Sequence, residues 1–296
     1  MGSKQFMCDK ILKALPSAEN FYDLFGGGFS VSHCALLINK WKSVFYNEIK
    51  SDVVDLVRDS INGKYNYSVF RPEWISKKDF LDRKGTDAYV RCIWSFGNNQ
   101  KDYLFNQTLE KNKRSLHNAV IFGKFDDFAK KILGFDRWDK NLSLSDRRLF
   151  SRQICSKGNK QLRQLQQLER LQQLEQLEQL ERLQQLEQLE QLERLQQLEL
   201  SSLSYDDVKI KPNSIIYCDP PYVGTSSYDT IQFDHNKFFS WVEANKHPVF
   251  FSEYKADDRF ELVFQKPRKP LLSSCGRRQM IEKVFANKAG TELLKK

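Results

Sequence analysis

The chain has 296 residues, 40% of them apolar and including 22 Phe, 11 Tyr and 5 Trp, enough apolar mass for a packed core and too much for wholesale disorder. No run of 18 apolar residues exists and no apolar signal segment opens the chain, so a soluble, unexported protein is expected; six scattered cysteines, with no Cys-x-x-Cys pair or His cluster nearby, argue against a zinc-type site and suit a reducing cytoplasm. The formal charge is +9, but residues 161–200 contribute −4 and the rest of the chain +13, an excess that suits a polyanionic partner.

Helical spacing of Phe6, Met7, Ile11 and Leu12, closed by Pro16, predicts a helix over 6–14. Residues 21–25 (Phe21-Tyr22-Asp23-Leu24-Phe25) read as a strand, Gly26-Gly27-Gly28 as a tight loop, and 31–38 as the helix behind it. A loop of this kind lets backbone approach a nucleotide-like ligand closely. A second strand over 43–46 ends at Asn47-Glu48 before a helix over 52–61. An acid at that strand tip is placed to accept hydrogen bonds from ribose hydroxyls. Residues 62–160 interleave Tyr65, Tyr67, Phe70, Trp74, Trp94, Phe96, Tyr103, Phe105 and Trp138 with Lys and Arg. Two readings stay open there: rings that stack bases beside cations that hold phosphates, or core residues under a solvated face.

From Leu162 to Leu198 a leucine recurs every third residue, thirteen in all, separated only by Gln, Glu and Arg. These are good helix formers, so a helical rod is expected. A spacing of three steps each leucine back by about 60° on an α-helix, whereas a 3-10 helix aligns them on one stripe; both remain open, with a solenoid-like winding as a third option. The period does not fit a leucine zipper. So many leucines predict packing against the domain or self-association through 162–198; slippage of a repetitive gene that the fold tolerates is the competing explanation.

After the tract, Ser214-Ile215-Ile216-Tyr217 reads as a buried strand, ended abruptly by Pro220 and Pro221. Cys218-Asp219-Pro220-Pro221-Tyr222 therefore forms a rigid turn at its carboxyl end, where open α/β sheets bind ligands. Asp219 and the Pro220 carbonyl offer two acceptors and Tyr222 an aromatic face, which together fit the exocyclic amino group of a planar base. Asp-Pro alone is ordinary turn chemistry; the four-residue stretch after a buried strand is more specific. A polar loop at 224–228, a helix over 235–244 and strands at 248–254, 262–264 and 281–285 complete the chain.

The glycine loop, the acid after the second strand and the later Asp-Pro-Pro-Tyr stretch together resemble the motifs of the Dam-like (D12 class) DNA adenine-N6 methyltransferases, in their order of cofactor motif before catalytic motif. The resemblance implies an α/β, Rossmann-like, S-adenosylmethionine-dependent methyltransferase fold with a mainly helical DNA-recognition region. It implies methyl transfer to adenine N6 in double-stranded DNA after base flipping, without a metal. The catalytic domain is then 1–61 with 204–296, the target-recognition region 62–160, and the leucine-triplet insertion 161–203. Asp23, Phe25, Gly26 and Gly27, with Gly28 beside them, fall on the family's Phe-x-Gly-x-Gly cofactor loop, and Glu48 matches the acid that holds the cofactor ribose. Gly2-Ser3-Lys4 matches a Gly-x-Lys segment that touches the cofactor. Asp219, Pro220, Pro221 and Tyr222 match the catalytic motif, Asp219 also bordering the cofactor. The segments 94–103 and Ser252-Glu253-Tyr254 and the leucine tract resemble phage-type members, which points to the cytoplasm of a bacterial or phage-infected cell. Phe29 departs from the pattern, standing where the family usually has its last glycine, and is expected to narrow the cofactor cleft unless Gly28 compensates. The alternatives are a cytosine-N4 or RNA amino methyltransferase, and an inactive DNA-binding scaffold that Phe29 keeps open.

Overall fold

The structure, a computed structural model, describes residues 4, 7–66, 68–96, 99–157, 195–223, 233–268 and 280–295. Gly2, Ser3, Tyr67, Gly97, Asn98, the leucine tract as far as residue 194, the loop 224–228 and Arg277-Arg278 lie outside the described residues. The chain divides into two units, residues 1–57 with 188–296, and residues 58–187.

The first unit is built on a seven-stranded sheet. Its strands are β1 (Asn20–Asp23), β2 (Ser43–Asn47), β3 (Leu198–Ser201), β4 (Ser214–Cys218), β5 (Val249–Ser252), β6 (Glu261–Arg268) and β7 (Met280–Ala286). They lie in the order β3-β2-β1-β4-β5-β7-β6. From β3 to β5 all neighbours are parallel, and β7 runs antiparallel to both β5 and β6. Every residue of β1, β4 and β5 is buried. Parallel strands covered on both faces demand this, which is why these segments read as continuous apolar runs without alternation. Between β1 and β4 the strand order reverses, and an open sheet has its ligand crevice at the carboxyl ends of such a pair.

Helices α1 (Cys8–Ala14), α2 (Ser30–Ile38) and α3 (Ser51–Ile61) accompany β1 and β2; α4 (Lys77–Arg83), α5 (Ala88–Ile93), α6 (Gln107–Phe122), α7 (Asp127–Leu133) and α8 (Leu144–Lys157) belong to the second unit; α9 (His235–Ala244) and α10 (Lys288–Leu294) return to the first. Phe238 and Val242 of α9 join Tyr22, Ile216, Val249, Phe251 and Phe285 in one buried cluster. Asn287 fastens this side of the sheet. Its buried amide donates to the carbonyls of Val242, Asn245 and His247 at 3.1, 3.1 and 3.0 Å, and its Oδ1 accepts from the N–H groups of Val249 and Gly290. One side chain thus ends α9, starts β5 and caps α10.

Two local expectations are corrected. β1 stops at Asp23, so Leu24 and Phe25 already belong to the turn, with the Leu24 N–H donated across to the Tyr217 carbonyl at 3.1 Å. The larger correction concerns Leu198, expected as the last residue of the leucine rod. It begins β3 instead, an edge strand lying parallel on β2, within residues assigned to the insertion. The outer edge of β2 would otherwise present a row of unpaired backbone groups. Val44 donates to the Gln197 carbonyl at 2.8 Å and Glu48 to that of Ser201 at 3.2 Å, and this pairing overrides the helix propensity of Leu and Glu.

The second unit is helical among the described residues, apart from a bridge between Ser95 and Tyr103. Its helices start on side-chain caps: the Ser76–Asp79 capping box of α4, then Asp87, Asn106 and Asp126. Ile75, Phe80, Val90, Trp94, Tyr103 and Phe105 form one core; Ala119, Ile121, Leu133, Trp138 and Leu144 belong to a second. Tyr65, Trp94, Tyr103, Phe105 and Trp138 are buried, and Trp74 stacks on Phe105 at 5.5 Å. For these rings the packing reading holds; Phe96, 45% exposed, is the exception. No helix among the described residues is long and apolar enough to cross a membrane.

Replacing Asn287 with Ala strips the carbonyls of Asn245 and His247 of this donor, leaves that of Val242 only its long 3.4 Å bond from the Asn245 N–H, and removes the α10 cap. Urea unfolding is expected to show a loss of about 3 kcal/mol or more.

Candidate active site

The loop from Leu24 to Phe29 is stitched to the ends of its neighbours. The Gly26 N–H donates to the Asn47 carbonyl at 2.8 Å and the Tyr46 hydroxyl to the Gly27 carbonyl at 2.7 Å. A Cβ at Gly26 would stand 2.1 Å from the Tyr46 ring, so only glycine fits there. Phe29, at the N-cap of α2, has φ +68° and so keeps the left-handed backbone that glycine adopts without penalty. Its ring is 1% exposed, edge-on to Tyr46 at 5.4 Å and close to His33. The bulk that departs from the family pattern is therefore stowed in the interior and presents no surface to a ligand. Phe25 packs on Tyr205, Phe233 and Phe238.

Asp23 is fully buried. Its Oδ2 accepts from the Ser32 N–H at 3.1 Å and the Ser32 hydroxyl at 2.7 Å, tying β1 to the first turn of α2; its Oδ1 has no partner among the described residues. Burial pushes this carboxyl up to about 7, the Ser32 bonds oppose it, and the charges of Asp219 and Glu48 add to it. Glu48 accepts from the Gly27 N–H at 3.0 Å through Oε2 and from the Lys50 N–H at 3.2 Å through Oε1; burial raises its pKa and those two bonds lower it. A carboxylate has about four lone-pair sites, so two remain for further donors. Gly28 sits half-buried in the same turn. An orphaned buried acceptor, a glycine loop and a part-satisfied acid at the β2 tip fit a ligand carrying a ribose diol.

On the other side of the crevice, Tyr217 and Ser252 join β4 to β5 through a 2.6 Å hydroxyl bond. Burial holds the Cys218 thiol well above its ordinary pKa, so it is inert. Asp219 follows, its side chain 16% exposed and its Oδ1 3.1 Å from the Lys4 ammonium. Burial raises the Asp219 pKa, Lys4 lowers it and Glu282 raises it. The Pro220 carbonyl accepts no hydrogen bond from the described residues, whereas that of Pro221 accepts from His235 Nε2–H at 2.8 Å. Tyr222 donates its hydroxyl to Glu282 at 2.6 Å and meets Tyr254 edge-on at 4.6 Å. The Lys4 ammonium also bonds Glu282 and the Tyr222 hydroxyl, and lies 4.7 Å from the Tyr222 ring centroid. Burial, then the charges of Asp219 and Glu282, hold the Tyr222 phenol far above its ordinary pKa, so it stays protonated. Glu253, buried, accepts from the N–H groups of Val223 and Tyr254 and holds the start of the loop beyond Tyr222.

Residues 1–263 match the family described as D12 class N6 adenine-specific DNA methyltransferase. The chain belongs to this family. Over 130 residues it is 27% identical to modification methylase LlaI of Lactococcus lactis subsp. lactis, an overlap of 40% of this chain and 20% of the relative, so the chain spans about a fifth of that protein's length. Among solved structures, the rRNA methyltransferase aviRa from Streptomyces viridochromogenes matches with a TM-score of 0.35 and 9% identity, covering 97% of this chain and 83% of that one. In this family member the structure groups Asp23, Gly26, Gly27 and Glu48 around one loop. It places Lys4, assigned by resemblance to the cofactor segment, directly on Asp219 and Tyr222. Glu282 and His235 were not singled out from sequence. The signal for Glu282 is strand alternation: it shares the buried face of β7 with Val284 and Ala286, an inward position for a carboxylate. Among the described residues no group of three or more His, Cys, Asp or Glu could hold a metal ion.

Asp23 supplies a pH signature. Its folded pKa lies above the unfolded value, so the folded state keeps a proton longer, and stability falls as pH rises from about 4 to about 7. The fall amounts to about 3 kcal/mol. Asp23→Asn keeps an acceptor for Ser32 and stays neutral, so calorimetric melting temperatures should lose that part of the slope. A wild-type-minus-variant difference that is flat from pH 4 to 8 would show that Asp23 is not the group responsible.

Proposed function

We propose that this protein transfers a methyl group from S-adenosylmethionine to adenine N6 in double-stranded DNA, acting on a base rotated out of the duplex. The observation that carries this reading is the pair of acceptors, the Asp219 carboxylate and the Pro220 carbonyl, at the buried end of β4 beside the glycine loop of β1. Glu48 would hold the cofactor ribose, the backbone of Gly26, Gly27 and Gly28 would lie against the cofactor, and Asp23 and Phe25 would support that loop. When bound, the cofactor supplies the methyl group on a sulfonium.

The nitrogen of an adenine amino group is a poor nucleophile because its lone pair is delocalised into the ring. Asp219 and the Pro220 carbonyl each accept one of its two hydrogens, which favours a tetrahedral nitrogen and localises the lone pair. The negative charge of Asp219 stabilises the positive charge that develops on N6. As N6 gains its methyl it gives up one proton, and Asp219, whose pKa burial already raises, is the adjacent acceptor. Tyr222 offers the ring on which the base stacks, with Tyr254 against its edge. Pro221, its carbonyl tied to His235, keeps the turn rigid. Residues 62–160 are assigned to target recognition, in keeping with the positive charge outside the leucine tract. The setting is the cytoplasm of a bacterial or phage-infected cell.

Incubation with adenine-containing duplex DNA and cofactor, followed by digestion and mass spectrometry, should yield N6-methyldeoxyadenosine. Asp219→Ala should lower the rate by about 10³-fold while calorimetric cofactor affinity survives. N4-methyldeoxycytidine as product would reassign the substrate, and failure of the wild type to bind cofactor would leave a DNA-binding scaffold.

The leucine tract supports a separate reading, self-association through 162–198. Sedimentation should then show a dimer or larger species that deletion of 164–194, which spares β3, alters; a monomer with an unchanged melting temperature on deletion overturns it.

A further inference from the structure

β7 is antiparallel to β5 with Val284 opposite Ser252, so residues before Val284 run past the carboxyl end of β5. That edge of the sheet also carries Asp219, and Glu282 arrives there from the far side of the fold. Its side chain is buried and gathers two donors, the Tyr222 hydroxyl at 2.6 Å and the Lys4 ammonium. The same ammonium pairs with Asp219 at 3.1 Å and faces the Tyr222 ring. One cation is thus shared by two carboxylates, and the phenol is turned toward Glu282. Lys4 precedes α1 and Tyr222 sits in a turn, whereas Glu282 stands on a strand held by its ladder to β6. It is the rigid member of the set, and a group on regular structure holds its geometry better than one on a loop.

We propose that Glu282 is a positioning residue: it holds the Lys4 ammonium beside Asp219 and fixes the Tyr222 ring, so that carboxylate and ring meet the base in one arrangement. This rests on the methyl-transfer reading. Among the described residues, the groups that face Asp219 are Lys4, Tyr222, Glu282, Tyr217, Cys218, Asp23 and Glu253, from the segment before α1, the turn after β4, β7, β4 itself, β1 and the end of β5. Lys4 is the cation among them, and Glu282 stands beside it. Removing the negative charge of Glu282 therefore eases ionisation of Asp219, and removing the positive charge of Lys4 hinders it.

The test compares wild-type protein with Glu282→Gln, Glu282→Ala and Lys4→Met. Methyl transfer to duplex DNA is followed across pH, and the Asp219 carboxyl is titrated by carbon-13 NMR without DNA. Glu282→Gln should move the acid limb of kcat, and the Asp219 titration, to lower pH by about half a unit or more; Lys4→Met should move both to higher pH. Glu282→Ala should lower kcat by about tenfold or more, with KM for DNA within about threefold, and Glu282→Gln should recover most of that loss. An Asp219 titration in Glu282→Gln that superimposes on wild type overturns the proposal, as does a fall in melting temperature alone with kcat unchanged in both Glu282 variants. If the wild type transfers no methyl group but the Asp219 titration shifts as stated, the methyl-transfer reading falls and the positioning of Asp219 by Glu282 stands.

Discussion

The pairing of β1 with β4, parallel and with Asp23 opposite Tyr217, is the constraint on which the rest of the first unit depends. It joins segments that the sequence separates by nearly two hundred residues, and it brings their carboxyl ends to one level. A glycine loop leaves one strand and an Asp-Pro-Pro-Tyr turn leaves the other. Because the order reverses at this pair, the connections on either side diverge and leave the crevice open. The Leu24 N–H, donated to the Tyr217 carbonyl, closes the two loops against each other at their base. Shifting β4 by a residue would turn Asp219 away from the loop, since alternate residues face opposite sides of the sheet.

Within that frame the difficulty is electrostatic. Asp23, Glu48, Asp219, Glu253 and Glu282 all lie along the carboxyl edge, and burial raises the pKa of four of them. Backbone N–H groups steady Glu48 and Glu253, and Ser32 steadies Asp23. Asp219 and Glu282 share the Lys4 ammonium instead. A buried carboxylate without such partners would take up a proton, and a protonated Asp219 could neither accept a hydrogen bond at both oxygens nor stabilise positive charge. The local arrangement of donors is thus the condition for keeping these buried carboxylates charged.

Elsewhere the same requirement, that buried backbone groups find partners, decides less obvious features. Asn287 satisfies three carbonyls where α9 meets β5. The residues ending the leucine tract leave whatever conformation their composition favours and join β2 as an edge strand. Phe29 is the converse case, a residue whose backbone accepts a conformation that costs about 1–2 kcal/mol while its ring is buried on Tyr46 and His33.

The sequence by itself determined the strands that carry the motifs, the loop at Gly26-Gly27-Gly28, the acid at Glu48 and the turn at Asp219 to Tyr222. These depend on local rules: continuous apolar runs, glycine tolerance and the rigidity of proline act within a few residues. It also showed the basic surplus and left the role of the aromatic residues in 62–160 undecided, because a ring in a core and a ring over a base look alike in composition. Tertiary structure alone decided that Trp94, Tyr103, Phe105 and Trp138 are interior, that Leu198 belongs to a sheet, and that Phe29 leaves the loop surface clear. It alone decided that Lys4, Asp219, Tyr222 and Glu282 meet. Those four come from opposite ends of the chain and from strands of opposite direction, and no local rule relates residues that only a shared sheet edge makes neighbours.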